Sequence, residues 1–122
     1  MKSIIFIVTI LLCTSSICAA EERTYTGNEL LNNCNNVIAG VEGRSHDMFV
    51  GGYCLGYVDG IDDALNILPI ENFDRGYCRP KNVTAGQLVR VVVKYLKNHP
   101  EKLHENQFLL TLSALLNAFP CK

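Results

Sequence analysis

The sequence predicts an all-α fold, a single-domain bundle of about four main helices stapled by two disulfides. Apolar residues recur at helical spacing in four stretches, and two of these stretches follow a helix-capping sequence. Residues 21–122 show no convincing alternation of apolar and polar residues at every second position. Because helices with one apolar face bury that face against each other, a helical bundle is the expected architecture.

Residues 1–20 have the layout of a cleaved secretory signal peptide. Lys2 gives a short basic start, residues 3–17 are mostly apolar, and Cys18-Ala19-Ala20 precedes the expected cleavage site. A retained transmembrane anchor is the alternative, but the apolar run is shorter than the roughly 20 residues that a membrane span needs. We therefore expect residues 21–122 to form one all-helical domain that is exported and is free of the membrane after signal cleavage.

The charge of residues 21–122 argues against nucleic-acid binding. The whole chain carries 11 Lys and Arg against 12 Asp and Glu, a net charge of −1, and removing Lys2 makes it −2. A nucleic-acid-binding domain needs a concentrated basic surface. We expect no nucleic-acid partner.

Four cysteines remain after signal cleavage: Cys34, Cys54, Cys78 and Cys121. An even number in a small exported domain predicts two disulfides, for which three pairings exist. We favour Cys54–Cys78 with Cys34–Cys121, because Cys54 and Cys78 flank one helix-to-loop segment. A catalytic or metal-binding cysteine is the weaker alternative, since no CxxC pair is present and an oxidising compartment removes free thiols.

The first two helices follow directly from the apolar pattern. Thr26 and Glu29 form a capping-box sequence, and a first helix ends near Gly40 and Gly43. Its predicted apolar stripe comprises Leu30, Leu31, Cys34, Val37, Ile38 and Val41. Ser45 is the expected cap of a second helix that runs to about Leu68, with a buried face of Val50, Cys54, Tyr57, Ile61, Ala64, Leu65 and Leu68.

Three glycines, Gly52, Gly56 and Gly60, recur at every fourth position of this second helix. Each interior glycine costs up to about 1 kcal/mol relative to alanine, so we expect a compensating close contact with another backbone. The favoured contact is a helix of the same molecule, and the alternative is a second chain lying against the glycines.

The second half of the chain contains an irregular segment and two more helices. Residues 69–83 look irregular, and Thr84 with Gln87 forms a second capping box. The third helix has a predicted core face of Leu88, Val91, Val92, Tyr95 and Leu96, with Arg90, Lys94 and Lys97 pointing away. Pro100 suits the start of a last helix, which is apolar around most of its circumference except for Asn106, Ser113 and Asn117. Such a helix is either central in the fold or shared with a partner subunit.

No residues form a convincing catalytic or metal-binding pattern. The three histidines, His46, His99 and His104, are not at ligand spacings, and LHEN at 103–106 lacks the second histidine of HExxH. Three carboxylates, Asp59, Asp62 and Asp63, fall within five residues. They suggest an acidic contact surface, which in one interpretation faces Arg90, Lys94 and Lys97 of the same molecule. We expect no enzyme activity, cofactor or metal.

Three segments of the chain carry a recognisable pattern: GGYCLGYVDGIDDA (51–64), GYCRPKNVTAGQLVRVVVKYLKNHPEKLH (76–104) and ALLNAFPC (114–121). Together they resemble the Rap/Tai immunity family of bacterial type VI secretion. The resemblance implies a periplasmic, all-helical inhibitor that binds a peptidoglycan amidase effector, occludes its active-site cleft and protects the producing cell. It also implies a homodimer and no cofactor.

On this interpretation the toxin contacts lie on an exposed loop and an adjacent acidic edge. We expect the loop contacts in the segment from Pro69 to Arg79, which is pinned near its end by Cys78 and therefore loses less entropy on docking. The predicted toxin-binding residues are Asp62, Asp63, Glu71, Asn72, Asp74 and Arg75.

Two other classes of function stay open. A small secreted helical carrier of an apolar ligand, or another periplasmic adaptor, fits helices with disulfides, and a co-purifying lipid would identify a carrier. A small periplasmic hydrolase that uses Asp59 or Asp63 is the third possibility. Turnover of peptidoglycan fragments that is lost on an Asp→Asn substitution would identify it.

Overall fold

Four α-helices make up most of residues 25–67 and 76–122, the part of the chain that the computed structural model describes. They are α1 (Gly27–Val41), α2 (Met48–Ile67), α3 (Ala85–Asn98) and α4 (Gln107–Ala118), with a 3-10 turn at Pro100–Lys102. The described residues contain no strand, only two isolated bridges, so the all-α prediction is confirmed. None of the described helices is both long enough and apolar enough to cross a membrane. The predicted signal peptide, residues 1–20, lies outside the described residues.

Both predicted capping boxes are present. At the start of α1, the Thr26 backbone N–H donates to Glu29 Oε2 over 2.9 Å. At the start of α3, Gln87 N–H donates to Thr84 Oγ1 and the Thr84 N–H donates to Gln87 Oε1 over 2.8 Å. Each box satisfies backbone donors that the first helical turn would otherwise leave free, so these two helices begin where the sequence indicates.

The cap of α2 is Asp47, and the prediction of Ser45 is wrong. Asp47 Oδ1 accepts hydrogen bonds from the backbone N–H groups of Phe49 and Val50, over 2.9 and 3.0 Å. The Asp47 N–H itself donates to Asn36 Oδ1 of α1 over 2.8 Å. A carboxylate satisfies two free donors at a helix N-terminus and suits the positive end of the helix dipole.

The last helix begins at Gln107, later than the predicted start at Pro100. Asn106 is its cap, and Asn106 Oδ1 accepts from Phe108 N–H over 2.8 Å. The intervening turn instead pairs with the start of α1, because Gly27 N–H donates to the Glu105 carbonyl and Asn28 N–H donates to the Leu103 carbonyl. Gly27 permits this close approach, since a Cβ there would overlap the Leu110 side chain.

The third helix, α3, packs against α1, α2 and α4. Its buried residues are Leu88, Val89, Val92, Val93 and Leu96. Val91 and Tyr95, predicted for the core, are only half-buried, because packing on several sides makes the buried arc wider and differently centred than one stripe. The last helix, α4, leaves its Leu109 55% exposed.

The buried face of α2 is also rotated from the predicted one. Its buried residues are Gly51, Cys54, Val58, Ile61, Asp62 and Leu65, whereas Tyr57 is half-buried and Ala64 is exposed. Gly51 faces α1, where an added Cβ would be in ordinary van der Waals contact, 3.5 Å from the Val37 backbone nitrogen.

The predicted disulfide pairing is wrong. The disulfides are Cys34–Cys54 and Cys78–Cys121, with Cα–Cα distances of 5.2 and 4.8 Å. Cys34 and Cys54 are both fully buried where α1 and α2 pack together. Cys78 lies beside the C-terminal tail rather than beside Cys54, and its N–H donates to the Phe119 carbonyl over 2.9 Å. In the chain-entropy model the two cross-links contribute about 3 and 4 kcal/mol of stability.

Candidate interaction surface

Asp62 is a buried carboxylate near the described end of α2, with 1% of its surface exposed. It accepts a hydrogen bond from the Tyr77 hydroxyl and another from Asn66 Nδ2 over 3.2 Å. Its Oδ1 also lies 3.0 Å from Arg79 Nε. The Arg79 Nε–H is not directed at an acceptor, so this contact is an ion pair rather than an aligned hydrogen bond. These partners provide the compensation that a buried charge requires.

The Tyr77 hydroxyl is held in its neutral, proton-donating form. Burial is the main cause that raises the pKa of Tyr77 far above its ordinary value, and the hydrogen bond to Asp62 raises it further. Arg79 is fixed from its other side, because Nη1 donates to the Val83 carbonyl over 3.0 Å. The Tyr77 hydroxyl and the Arg79 guanidinium both contact Asp62, so these two side chains hold the segment from Tyr77 to Val83 against α2.

The C-terminal tail holds the same segment from the opposite side. The Tyr77 ring meets the Phe119 ring edge to face at 6.1 Å, and Tyr77 forms an isolated bridge with Pro120. At Gly76, with φ of +57°, an added Cβ would lie 3.1 Å from the Cys121 sulfur, so both the left-handed backbone and the close contact require glycine here. Residue 76, where the described chain resumes, is thus held between α2 and the tail.

The structure separates the predicted toxin-binding residues into three groups. Glu71, Asn72, Asp74 and Arg75 lie outside the described residues. Asp63 is exposed on α2, as predicted for a contact residue. Asp62 is buried and engaged by Tyr77 and Arg79, so its carboxylate does not contribute to an exposed acidic edge.

The three regularly spaced glycines of α2 face outward. Gly52, Gly56 and Gly60 are exposed, and among the described residues nothing lies within 4 Å of a Cβ added at any of them. The favoured interpretation, close packing on another helix of the same molecule, is therefore wrong for the part of the chain described. The second interpretation, a separate chain lying on the glycines, stays a prediction.

Large apolar side chains lie at both ends of this outer face of α2. Phe49 is 87% exposed near its start and Ile67 is 77% exposed near its described end. Met48, 80% exposed, borders an apolar hollow of about 250 Å³ between α1 and α2. Met48, Phe49 and the hollow form an apolar patch at the start of α2, and contiguous exposed apolar patches often mark interaction surfaces.

Two tyrosines continue this surface toward α4. Tyr53 and Tyr57 stack with their ring centroids 5.9 Å apart, and the buried Gln107 donates from Nε2 to the Tyr53 hydroxyl over 3.2 Å. Burial raises the pKa of Tyr57 above its ordinary value. The two rings lie on α2 beside the glycines.

The basic row on α3 is separate from the acidic residues of α2. Arg90, Lys94 and Lys97 are exposed, and within the described ranges none of them forms an ion pair with Asp59 or Asp63. The suggested contact between the two groups inside one molecule is therefore not observed.

Sequence reasoning missed Tyr77 and Arg79, although a signal for their role exists. Asp62 lies four residues after Val58 and three before Leu65, on the buried arc of α2. A carboxylate on a buried arc needs donors, and the residues on either side of a structural cysteine, Tyr77 and Arg79 beside Cys78, supply a hydroxyl and a cation. The contact of Asp62 with Tyr77 and Arg79 joins two segments that lie on either side of residues 68–75 in the sequence. No local sequence pattern predicts such a contact.

Comparison with known proteins agrees with the architecture. The sequence model of a family described as Rap1a immunity proteins matches residues 26–121, from the cap of α1 to the last cysteine. Searches of curated proteins and of solved structures returned no match. The matched range includes all four helices and both disulfides, and the chain belongs to the Rap1a immunity protein family.

Proposed function

We propose that this protein is a periplasmic immunity protein that binds a type VI secretion peptidoglycan amidase effector, occludes its active-site cleft and so protects the producing cell. The observation that carries the proposal is the family match over residues 26–121. Family membership gives the chain a toxin-immunity role, and it implies a partner protein rather than a substrate. The amidase, the secretion system and the compartment are the proposed refinements.

The periplasm is supported by the covalent structure. Two disulfides join all four cysteines of residues 25–67 and 76–122, and such bonds persist in oxidising compartments. The signal-like residues 1–20 give the same indication. Expression with residues 1–20 should protect cells against an amidase directed to the periplasm, whereas expression of residues 21–122 alone should not.

Occlusion requires a surface that is rigid before it binds. We propose that Asp63 and residues 71–75 make the contacts in the cleft, and that Asp62 acts as an anchor for the chain from Tyr77 onward rather than as a contact. Tyr77 and Cys78 fix the chain immediately after these residues. Fixed flanks lower the entropy lost on docking, and this increases affinity without adding contacts.

We also propose that the protein is a homodimer in which a second copy lies on the outer face of α2. Gly56, at the centre of this face, leaves room for close approach of another backbone, and Phe49 and Ile67 offer apolar area at its ends. Light scattering on residues 21–122 should give twice the monomer mass. Gly56→Leu should give a folded monomer, because its side chain fills the space that the second copy needs.

The direct test of the proposal is a binding assay with peptidoglycan amidase effectors of the same genome, beginning with any that is encoded beside this gene. Oxidised residues 21–122 should form a stoichiometric complex with one of them that survives size-exclusion chromatography. Failure to bind any peptidoglycan amidase, with the protein folded and oxidised, would contradict the proposal. Co-purification with a lipid would favour the carrier function instead.

A further inference from the structure

We infer that the outer face of α3, with its three cations and two flanking hollows, is where an acidic surface of the effector docks. This inference rests on the proposed function and adds the chemistry of the partner surface. It concerns a part of the molecule distinct from the outer face of α2 and from residues 71–75.

The cations of α3 carry an unneutralised charge. Arg90, Lys94 and Lys97 are spaced by four and three residues, so they lie along about 10 Å of one helix face at the usual rise of 1.5 Å per residue. Residues 85–98 contain no Asp or Glu, and none of the three cations has an ion-pair partner among the described residues. Arg44 and Arg79, in contrast, each pair with a carboxylate.

Part of this arrangement has a local electrostatic cost. Like charges four residues apart on a helix, as in Arg90 and Lys94, destabilise it by about 0.2–0.5 kcal/mol. A complementary acidic partner would remove that repulsion and attract the protein over a distance. The charge pattern therefore indicates an anionic partner.

Two hollows on either side of the cations indicate that the partner is a protein. One hollow, of about 250 Å³, lies between α1 and α3 and has Ile38 and Val93 in its lining. The other, of about 280 Å³, lies between α3 and α4 and has Val91 and Ala118 in its lining. Lys94 lines both, so a cation stands between two apolar depressions.

This combination matches the anatomy of a protein interface, in which apolar side chains fill pockets inside a charged rim. A folded partner that presents carboxylates beside a protruding leucine, methionine or aromatic side chain would fill the hollows and neutralise the row together. A polyanion or a lipid headgroup layer supplies the charge but no side chain for the hollows. The geometry thus favours an acidic protein surface.

The rim of the second hollow is already ordered. Tyr95 and His99 stack with ring centroids 4.2 Å apart, and His99 Nδ1 lies 2.8 Å from the Tyr95 carbonyl oxygen. The backbone of α3 is supported by contacts with the other three helices. The helix and the ordered part of the rim therefore lose little conformational entropy on binding.

Charge reversal tests the inference. The Arg90→Glu/Lys94→Glu variant should bind the neighbouring-gene effector at least about tenfold more weakly, mainly through slower association. The matched control is Lys81→Glu/Lys122→Glu, which makes the same change of net charge at exposed sites off this face and should bind like the wild type. Ala118→Phe leaves the charges intact but fills a hollow, and it should also weaken binding about tenfold.

A measurement on the unmodified protein accompanies the variants. Its association rate constant should fall steeply between about 50 and 300 mM salt, as expected for charge-steered docking. Circular dichroism melting curves of all variants should overlay the wild type.

The outcomes separate this inference from the proposed function. If the unmodified protein neither binds nor inhibits the effector, the proposed function fails. If it binds, but the Arg90/Lys94 variant binds equally well, the inference is overturned. It is also overturned if that variant loses only self-association, which assigns the face to a second copy. Binding of the wild type to anionic lipid vesicles with unchanged effector affinity of the variant overturns it in favour of a membrane.

Discussion

Tyr77 donates a hydrogen bond to the buried carboxylate of Asp62, and the two residues lie 15 positions apart on either side of residues 68–75. The same carboxylate is the partner of Arg79 and Asn66. One side chain of α2 therefore positions the chain that follows residues 68–75. Substitutions at this contact measure how much it contributes to the free energy of unfolding.

Asp62→Ala should lower the free energy of unfolding by about 3 kcal/mol, because it leaves the part-buried Arg79 guanidinium and the Tyr77 hydroxyl without their acceptor. Urea denaturation measures this loss. Asp63→Ala, the exposed neighbour, is the matched control and should change stability by no more than about 0.5 kcal/mol. Equal losses for the two variants would contradict the assignment of Asp62 as the anchor.

Tyr77→Phe should cost less, about 1–2 kcal/mol, since it removes one hydrogen bond but keeps the ring against Phe119. Asp62 retains Asn66 and Arg79 as partners in this variant. A double-mutant cycle with Asp62→Ala should show a coupling energy of about 1 kcal/mol. Strictly additive losses would show that the hydroxyl and the carboxylate do not interact in solution.

Alkaline pH should destabilise the protein through Tyr77. Its pKa in the folded state is raised above the ordinary value of 10.0, by burial first and by Asp62 second. Above about pH 10 the unfolded chain releases this proton while the folded chain retains it, so the free energy of unfolding falls as the pH rises toward the folded pKa. Below pH 10 the contribution is fully present.

The Tyr77→Phe variant isolates this effect. Its stability should fall less steeply than that of the wild type between pH 10 and about 11, as measured by urea denaturation at each pH. Burial also raises the pKa of Tyr57. Because Tyr57 is present in both proteins, its part of the pH dependence of stability is the same in both. Identical slopes would rule out Tyr77 as the group responsible.

Substitution of two glycines by alanine should change the free energy of unfolding in opposite directions. Gly27→Ala should lower the free energy of unfolding by about 1–3 kcal/mol, because its methyl group would overlap Leu110 and crowd the Leu103 backbone. Gly56→Ala should raise it by about 0.5–1 kcal/mol, since this exposed helical position has space and alanine is the better helix former. Thermal melts of both variants at the same low concentration provide the comparison. Destabilisation by Gly56→Ala would show that the outer face of α2 is covered within the monomer.

The two disulfides should differ in their access to reductant. Cys34 and Cys54 are fully buried, whereas Cys78 is exposed. Dithiothreitol should therefore reduce Cys78–Cys121 first, because thiol–disulfide exchange depends on access to the sulfur, and alkylation followed by mass spectrometry reads the order. The singly reduced protein should stay folded through the Asp62 contacts yet bind the effector more weakly. Simultaneous reduction of both bonds would contradict this order.

The parts of the fold that the sequence predicted are those with local causes. The caps at Thr26 and Thr84 depend on residues three positions apart, and the apolar stripes repeat within a few turns. These patterns indicated the helix count and the starts of α1 and α3. The late start of α4 was missed for two reasons. The preceding turn pairs with Gly27 and Asn28, which are distant in sequence, and Asn106, which is the local cap, was assigned to the polar strip of the helix.

The errors concern contacts between distant segments. The disulfide pairing depends on how α1 and α2 pack, and on the hydrogen bond that places Cys78 against the C-terminal tail. Asp62 was taken for a surface residue because a carboxylate is exposed by default, and only its place on the buried arc of α2 argues otherwise. The residues predicted to contact the toxin at 71–75 stay a prediction.

Inhibition of an amidase effector by titration with oxidised residues 21–122 tests the central claim most directly. The account predicts that peptidoglycan hydrolysis falls linearly and reaches zero when one chain has been added per effector molecule. Hydrolysis that continues unchanged at a large excess of the folded, oxidised protein, with the effector encoded beside its gene, would contradict it.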